Sequence, residues 1–339
     1  RANVLLARRG TVDFMAGINS VNSLLLIVTM LYHAIACWRE DQTSPPGQRI
    51  DVGGCKLHLY TAGDANQPTI VLDHSLGGIE GYFLLPELAK LGRVCCYDRA
   101  GYGWSDRSPH PRTSQQIVTE LDQLLTNANI APPYVMVGNS FGTYNLRLYA
   151  HQFPEKVAGL VLTDGLHENG MLRMTLWLRI LKLFFISGFV MCVLGSGLGI
   201  IRLLKICGMF ELLKPELKQY SSAVLKPVKR SFCRPKHWIT MAQEMWSLET
   251  SGRQLQAINS LGSLPIVSIK ANSFFKPSLW TRLIPLGAAN RLRDEMHQEL
   301  LKLSTNCIQL PAQNSGHFVW LDQPEVMVKA VKILLEKIG

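Results

Sequence analysis

Ser140 has the surroundings best suited to chemistry. It sits in Gly138-Asn139-Ser140-Phe141-Gly142, between a β-like run, Tyr134 to Val137, and a helix-like run, Thr143 to His151. A sharp turn from strand into helix leaves little room for side chains, and glycine two residues to either side lets the neighbouring backbones approach. A serine held there presents its hydroxyl for nucleophilic attack, while the N–H of Phe141 points toward where an oxyanion would form. A second donor is expected from Asp73-His74-Ser75-Leu76-Gly77-Gly78, which follows an early strand and would set the N–H of Leu76 beside that of Phe141. The blander readings are a Gly-rich αβ turn at Ser140 and a glycine turn with a structural histidine at His74.

A serine hydroxyl is a weak nucleophile at neutral pH and needs a base, and the base needs an acid to orient it. His317, in Asn314-Ser315-Gly316-His317-Phe318, follows the last strand-like run and precedes the final helix, where a loop would carry it back to the serine. His33 falls in a hydrophobic segment, and His58, His110, His151, His237 and His297 fall in hairpin, loop or helix contexts. For the acid, Ala271 to Asn290 contains no Asp or Glu, and the next carboxylate is Asp294. The preceding strand ends at Asp164, which is therefore the expected orienting acid, with Glu168 as the alternative and a loop-anchoring role as the non-catalytic reading.

These residues need a sheet to bring them together. Ile50 to Val52 and Lys56 to Tyr60 read as a hairpin about Gly53-Gly54; Thr69 to Leu72, Arg93 to Tyr97, Val157 to Thr163, Leu264 to Ile269 and Cys307 to Leu310 read as buried strands. Helical periodicity covers Ser114 to Asn127, Arg291 to Leu303 and Glu325 to Ile338. Such alternation predicts an α/β fold with a mainly parallel sheet covered on both faces. Residues 49–164 and 264–339 would form this core, and 165–263, of different character, a hydrophobic helical cap.

The chain has 339 residues, is 47% hydrophobic and carries a formal charge of +10. That length and composition fit one large α/β domain with an insertion. The basic balance suits an anionic membrane surface; no zinc-finger spacing or RNP-like motif supports a nucleic-acid partner. Eight cysteines without a C-x-x-C pair point away from a disulfide framework or a metal site. Residues 16–38 hold no Asp, Glu, Lys or Arg and predict a membrane anchor, with a cleaved signal-like segment or a packed helix as the alternatives; residues 1–41 are the N-terminal segment and 42–48 a linker. The basic residues about it point faintly to a cytoplasmic N-terminus. Leu183 to Ile201 is also uncharged, but Gly188, Gly195, Gly197 and Gly199 are expected to break it into a pair of cap helices lying over the pocket mouth or on a membrane surface. A start at Arg1 rather than Met suits a fragment or a processed product.

The elbow, the order Ser140, Asp164, His317, the run Tyr97-Asp98-Arg99-Ala100-Gly101-Tyr102-Gly103-Trp104-Ser105-Asp106, and Gly316-His317-Phe318 followed by Asp322-Gln323-Pro324-Glu325 together resemble the α/β-hydrolase superfamily over residues 48–339. Pro45 to Gly54 followed by Leu57-His58-Leu59-Tyr60, behind a hydrophobic segment, is similar to membrane-anchored hydrolases of bacterial type. The resemblance implies an eight-stranded core, a cap after the sixth strand, and a serine mechanism with no cofactor or metal. It disfavours epoxide hydrolase and dehalogenase chemistry, because those relatives place Asp where Ser140 stands. His74-Ser75 replaces the usual His-Gly and Asn139 the usual histidine, yet neither change removes a backbone donor. The expected activity is cleavage of a small-molecule ester with a hydrophobic or lipid-like acyl group. Iminopeptidase-type amide cleavage and a non-catalytic membrane-tethered binding protein are the alternatives.

Overall fold

Four short apolar runs are wholly buried and set the middle of the molecule: β3 (Thr69–Asp73), β4 (Val94–Asp98), β5 (Tyr134–Asn139) and β6 (Val157–Thr163), the last with one half-buried residue. Strands covered on both faces have no reason to alternate, which is why they read as continuous hydrophobic stretches. The computed structural model describes residues 2–65, 68–274, 276 and 287–339, with 2–21 described by their backbone alone. With β1 (Gln48–Asp51), β2 (Lys56–Ala62), β7 (Ile266–Ala271) and β8 (Cys307–Ala312), the strands form one sheet in the order β1-β2-β4-β3-β5-β6-β7-β8. At one edge β2 runs antiparallel to both of its neighbours, β1 and β4, and the remaining pairings are parallel.

Register decides where the chemistry falls. One row crosses the sheet through Cys96, Leu72, Val137, Val161, Val267 and Ile308. Two positions on, Asn139 pairs with Thr163 and Thr163 with Ile269, so Ser140 and Asp164 leave adjacent strands at one edge. One face is covered by α3 (Ser114–Asn127) and α4 (Gly142–Gln152), through residues such as Leu121, Leu124, Tyr144 and Leu148. α2 (Gly81–Leu88), α12 (Val319–Asp322) and α13 (Pro324–Ile338) cover the other, through Leu84, Trp320, Val331 and Leu334. In α3 the buried residues Ile117, Val118, Leu121, Leu124 and Leu125 recur at helical spacing, the apolar stripe that docks such a helix on a sheet.

Between β6 and β7 stands the helical cap: α5 (Glu168–Leu172), α6 (Leu176–Gly197), α7 (Ile200–Ile206), α8 (Met209–Leu213), α9 (Ser222–Phe232) and α10 (Pro235–Leu255). α11 (Gly287–Leu301) follows β7. Two expectations need correction here. Gly188 and Gly195 do not interrupt the apolar run; each costs about 1 kcal/mol relative to alanine in a helix, too little to stop 22 residues capped by Thr175 and packed along α10. The break falls at Gly199, whose φ of +81° starts α7. The residues 42–48, expected as linker, give up Gln48 to β1.

The expected anchor, 16–38, lies in a helix, α1 (Ala2–Asp41); side chains 16–21 are outside the described residues. Among the described residues one helix, α6, is long and apolar enough to cross a membrane, and none of its most apolar 18-residue window is buried.

Candidate active site

Ser140 occupies the turn between β5 and α4 with φ +50°, a left-handed conformation uncommon for a residue with a side chain. Its N–H donates to Thr163 O at 2.9 Å, and its carbonyl accepts from Thr143 N and Thr143 Oγ1. Glycine is required at both flanks. A Cβ on Gly142 would stand 2.8 Å from His74 O, and one on Gly138 3.0 Å from the Gly142 backbone. The elbow therefore packs directly on the loop that begins at Asp73, and Ser140 is 6% exposed.

Asp164 also has a positive φ, +40°, and its N–H donates to Ile269 O, so β7 fixes its backbone. Its buried carboxylate meets three donors: His317 Nδ1 at 2.6 Å, His297 Nε2 at 3.0 Å and Ala271 N at 3.1 Å. Burial pushes this carboxyl's pKa up, but the hydrogen bonds from His297 and His317 outweigh it and hold the group well below the usual carboxylate range. His317 is further placed by its N–H on Phe274 O and by stacking on the Phe274 ring, centroids 5.1 Å apart and 8° from parallel. Among the described residues Ser140 Oγ makes no hydrogen bond to the His317 ring, an arrangement often seen in unliganded sites that tighten on substrate.

The alternative acid is not brought to His317. Glu168 is buried and faces Arg147, whose two terminal nitrogens donate to it at 2.8 and 3.1 Å. Beside it, burial and the Arg147 charge lower the His167 ring to about 4. His297, set aside as a helix histidine, does reach the site. On α11 the residues Arg293, Met296, His297 and Leu300 are buried at positions i, i+3, i+4 and i+7, and a histidine in such an inward stripe was the signal available in the sequence.

The loop expected to supply the second donor is held by a buried ionic network. Arg99, just past β4, donates from one terminal nitrogen to His74 O (2.7 Å) and Asp73 Oδ1 (2.8 Å), and from the other to Ser75 O (2.7 Å). Glu244 of α10 grips the same guanidinium at 2.9 Å through Nε and at 2.9 Å through the second terminal nitrogen. Tyr102 OH donates to Glu244, and the Glu80 carboxylate accepts from Ser75 N and Ile79 N. His74 is locked inward: its Nδ1 accepts from Gly81 N and its Nε2 donates to Tyr97 O at 2.7 Å, which defines the neutral tautomer. Among the described residues the N–H groups of Leu76 and Phe141 donate to no protein atom. A cavity of about 490 Å³ lies between α5–α6 and α11, lined by Gly170, Arg173, Leu178, Leu292 and Met296 among others, and touches neither Ser140 nor His317.

Residues 68–185 match the family model described as alpha/beta hydrolase fold. The uncharacterised protein YqjL of Bacillus subtilis is 32% identical over 115 residues, 33% of this chain and 46% of its own length. The chain's matches take in less than half the length of the first curated relatives. Among solved structures, the epoxide hydrolase CorEH aligns with a TM-score of 0.65 at 15% identity, over 86% of this chain and 99% of the other. A thermophilic esterase from Thermogutta terrifontis aligns with a TM-score of 0.60 at 16% identity, over 86% and 99%. Sheet order, family model and solved structures agree: this chain has the α/β-hydrolase fold.

Proposed function

We propose that the chain is a serine hydrolase that cleaves a carboxylic ester, of a hydrophobic or lipid-like acyl group, through an acyl-enzyme. Ser140 Oγ attacks the carbonyl carbon while His317 Nε2 takes its proton. Asp164 accepts from Nδ1, fixing the tautomer and stabilising the imidazolium as it forms. The N–H groups of Leu76 and Phe141 receive the negative charge on the carbonyl oxygen. Collapse of the tetrahedral species expels the alcohol, protonated by His317, and water repeats the sequence to release the acid. The pairing of His317 with Asp164 at 2.6 Å, at the sheet edge where β5 delivers Ser140, is the observation that carries this reading.

The solved relatives include both an epoxide hydrolase and an esterase, and the nucleophile separates the two chemistries. A serine attacking an epoxide carbon would leave an ether, which water does not cleave under these conditions. Attack on an acyl carbonyl leaves an ester that water can release. The same machinery could open an amide, and a substrate panel of paired esters and amides decides between them. We further propose that the protein is membrane-associated, tethered by α1.

A fluorophosphonate probe tests the mechanism, since phosphonylation of serine requires the assembled site. Labelling is expected in the wild type, absent in Ser140→Ala, strongly reduced in Asp164→Asn and retained in Glu168→Gln wherever that variant folds. A well-folded wild type that stays unlabelled would replace the enzyme with a non-catalytic binding protein on this fold.

A further inference from the structure

A helix on the surface of a water-soluble domain buries an apolar stripe and shows polar side chains to solvent. In α1 this order is reversed. Thr29 and His33 are buried, and together with Cys37 and Glu40 they form one stripe at spacings of four, four and three residues turned toward the cap. Thr29 Oγ1 donates to Leu198 O, Arg202 of α7 reaches His33 and Cys37, and Glu40 pairs with Arg202 and Arg234. The outward side carries Leu24, Leu25, Ile27, Val28, Leu31, Ile35 and Trp38, all at least half exposed.

The cap shows the same reversal where α1 meets it. In α6 and α7 the buried residues are Ser196 and Arg202, whereas Phe184, Met191 and Leu194 on α6 and Leu203 and Ile206 on α7 are exposed. The two surfaces meet at Gly199, where an added Cβ would lie 2.5 Å from Thr29 O. Polar inside and apolar outside is the pattern that hydrocarbon selects, because lipid offers buried polar groups no partner and rewards an aliphatic exterior.

We propose that α1, from residue 22, and the outer faces of α6 and α7 form a single lipid-embedded surface, so that the hydrolase domain sits on a bilayer through its cap as well as through its N-terminal helix. Orientation follows from what supports α6. At about 1.5 Å per residue its 22 residues reach roughly 33 Å, enough to cross a membrane. Its inner side, however, is held along α10 by Lys182 with Glu249 at 3.2 Å and by Phe189 against Trp238. α10 is in turn fixed to the core through Glu244 and Arg99. α6 therefore lies half-immersed along the bilayer plane instead of crossing it. Exposed Arg173, Arg179 and Lys218 on the cap, and a chain charge of +10, suit an anionic lipid surface.

The inference deepens the membrane part of the proposed function and is independent of the hydrolase part, because its test needs no turnover. The full chain is reconstituted with phosphatidylcholine vesicles containing phosphatidylglycerol, some of whose acyl chains carry nitroxide. Tryptophan quenching is then compared in Trp38→Phe on α1, Trp177→Phe on α6 and Trp320→Phe in the core. Quenching is expected to fall in both Trp38→Phe and Trp177→Phe and to stay unchanged in Trp320→Phe. Quenching that falls in Trp38→Phe alone would leave α1 as a simple tether with the cap in water, and would overturn the proposal while the anchor stands. Absence of acyl-chain quenching in the wild type would overturn both.

Discussion

Two clusters in this molecule set arginines against carboxylates, and they are built to different standards. Around the loop that begins at Asp73, Arg99 is fully buried between Asp73 and Glu244, and all three of its nitrogens donate to carboxylate or carbonyl oxygens. At the end of α1, Arg202, Arg230 and Arg234 converge on Glu40 and Asp41. There Asp41 is half exposed, and among the described residues the Nε atoms of Arg230 and Arg234 make no hydrogen bond. Burial raises the carboxyls of Glu40 and Asp41, and the arginines more than offset it, so both stay lowered. A charge withdrawn from water is stabilised only when its neighbours replace every lost hydrogen bond, which the first cluster achieves and the second does not. The first pins backbone at the site; the second clips one helix onto another.

Removing one partner should expose that difference. Glu244→Ala leaves the Arg99 charge buried against Asp73 alone and is expected to cost on the order of 3–5 kcal/mol, read as a lowered denaturant midpoint, with fluorophosphonate labelling lost at temperatures where the variant still folds.

Acid should loosen the surroundings of the first cluster before it touches Asp164. Burial and Lys236 lower His237, which packs on Tyr102, to about 3, and His167 titrates at about 4 in the folded chain. Both rings stay neutral in the folded protein while the unfolded chain takes up protons below about 6.5, so stability falls as pH drops from 6.5 toward 4. Asp164, held below its usual range, keeps its contribution until pH falls below about 4. The loss between pH 6.5 and 4 is expected to reach a few kcal/mol and to be smaller in His167→Asn, whose side-chain oxygen can still accept from Asn169 N. A midpoint flat from pH 7 to 4 would contradict both shifts.

Replacing His297 tests a single donor to a buried charge. His297→Leu is expected to cost about 1.5–3 kcal/mol and to raise the acid limb of the labelling rate against pH, while His297→Gln, which keeps an amide donor, recovers part of both. The smallest effect should come from the outer clip. Asp41→Asn is expected to change stability by at most about 1 kcal/mol, a difference that disappears in high salt, whereas the Glu244→Ala cost should persist there. Equal salt sensitivity in the two variants would erase the distinction.

The sheet and its elbow were legible because their signals are local. Ser114–Asn127 and Val157–Thr163 fall at the bounds that periodicity alone predicts, and the lack of Asp and Glu in 271–290 favours Asp164, which His317 meets, with Glu168 as the alternative. The supports of the site were not legible. Arg99 and Glu244 lie 145 residues apart, and nothing in either segment names the other. α2 has no local signal, because its apolar Gly-Tyr-Phe-Leu-Leu run followed by Pro86 carries no clear helical stripe. α6 runs through Gly188 and Gly195 because its packing outweighs so small a penalty, and the pair of helices divides at Gly199.

The clip also bears on the order of events at the ribosome. α1 is made before the cap, and the second of the two arginines that close on Asp41, Arg234, lies 193 residues later in the chain. At about 5–20 residues per second this is an interval of roughly 10–40 s. For most of it the stripe of Thr29, His33, Cys37 and Glu40 lacks its first partners from the cap, Leu198 and Arg202. The helix is therefore made well before the cap residues that later hold it. Whatever places it first also decides where the cap will later close.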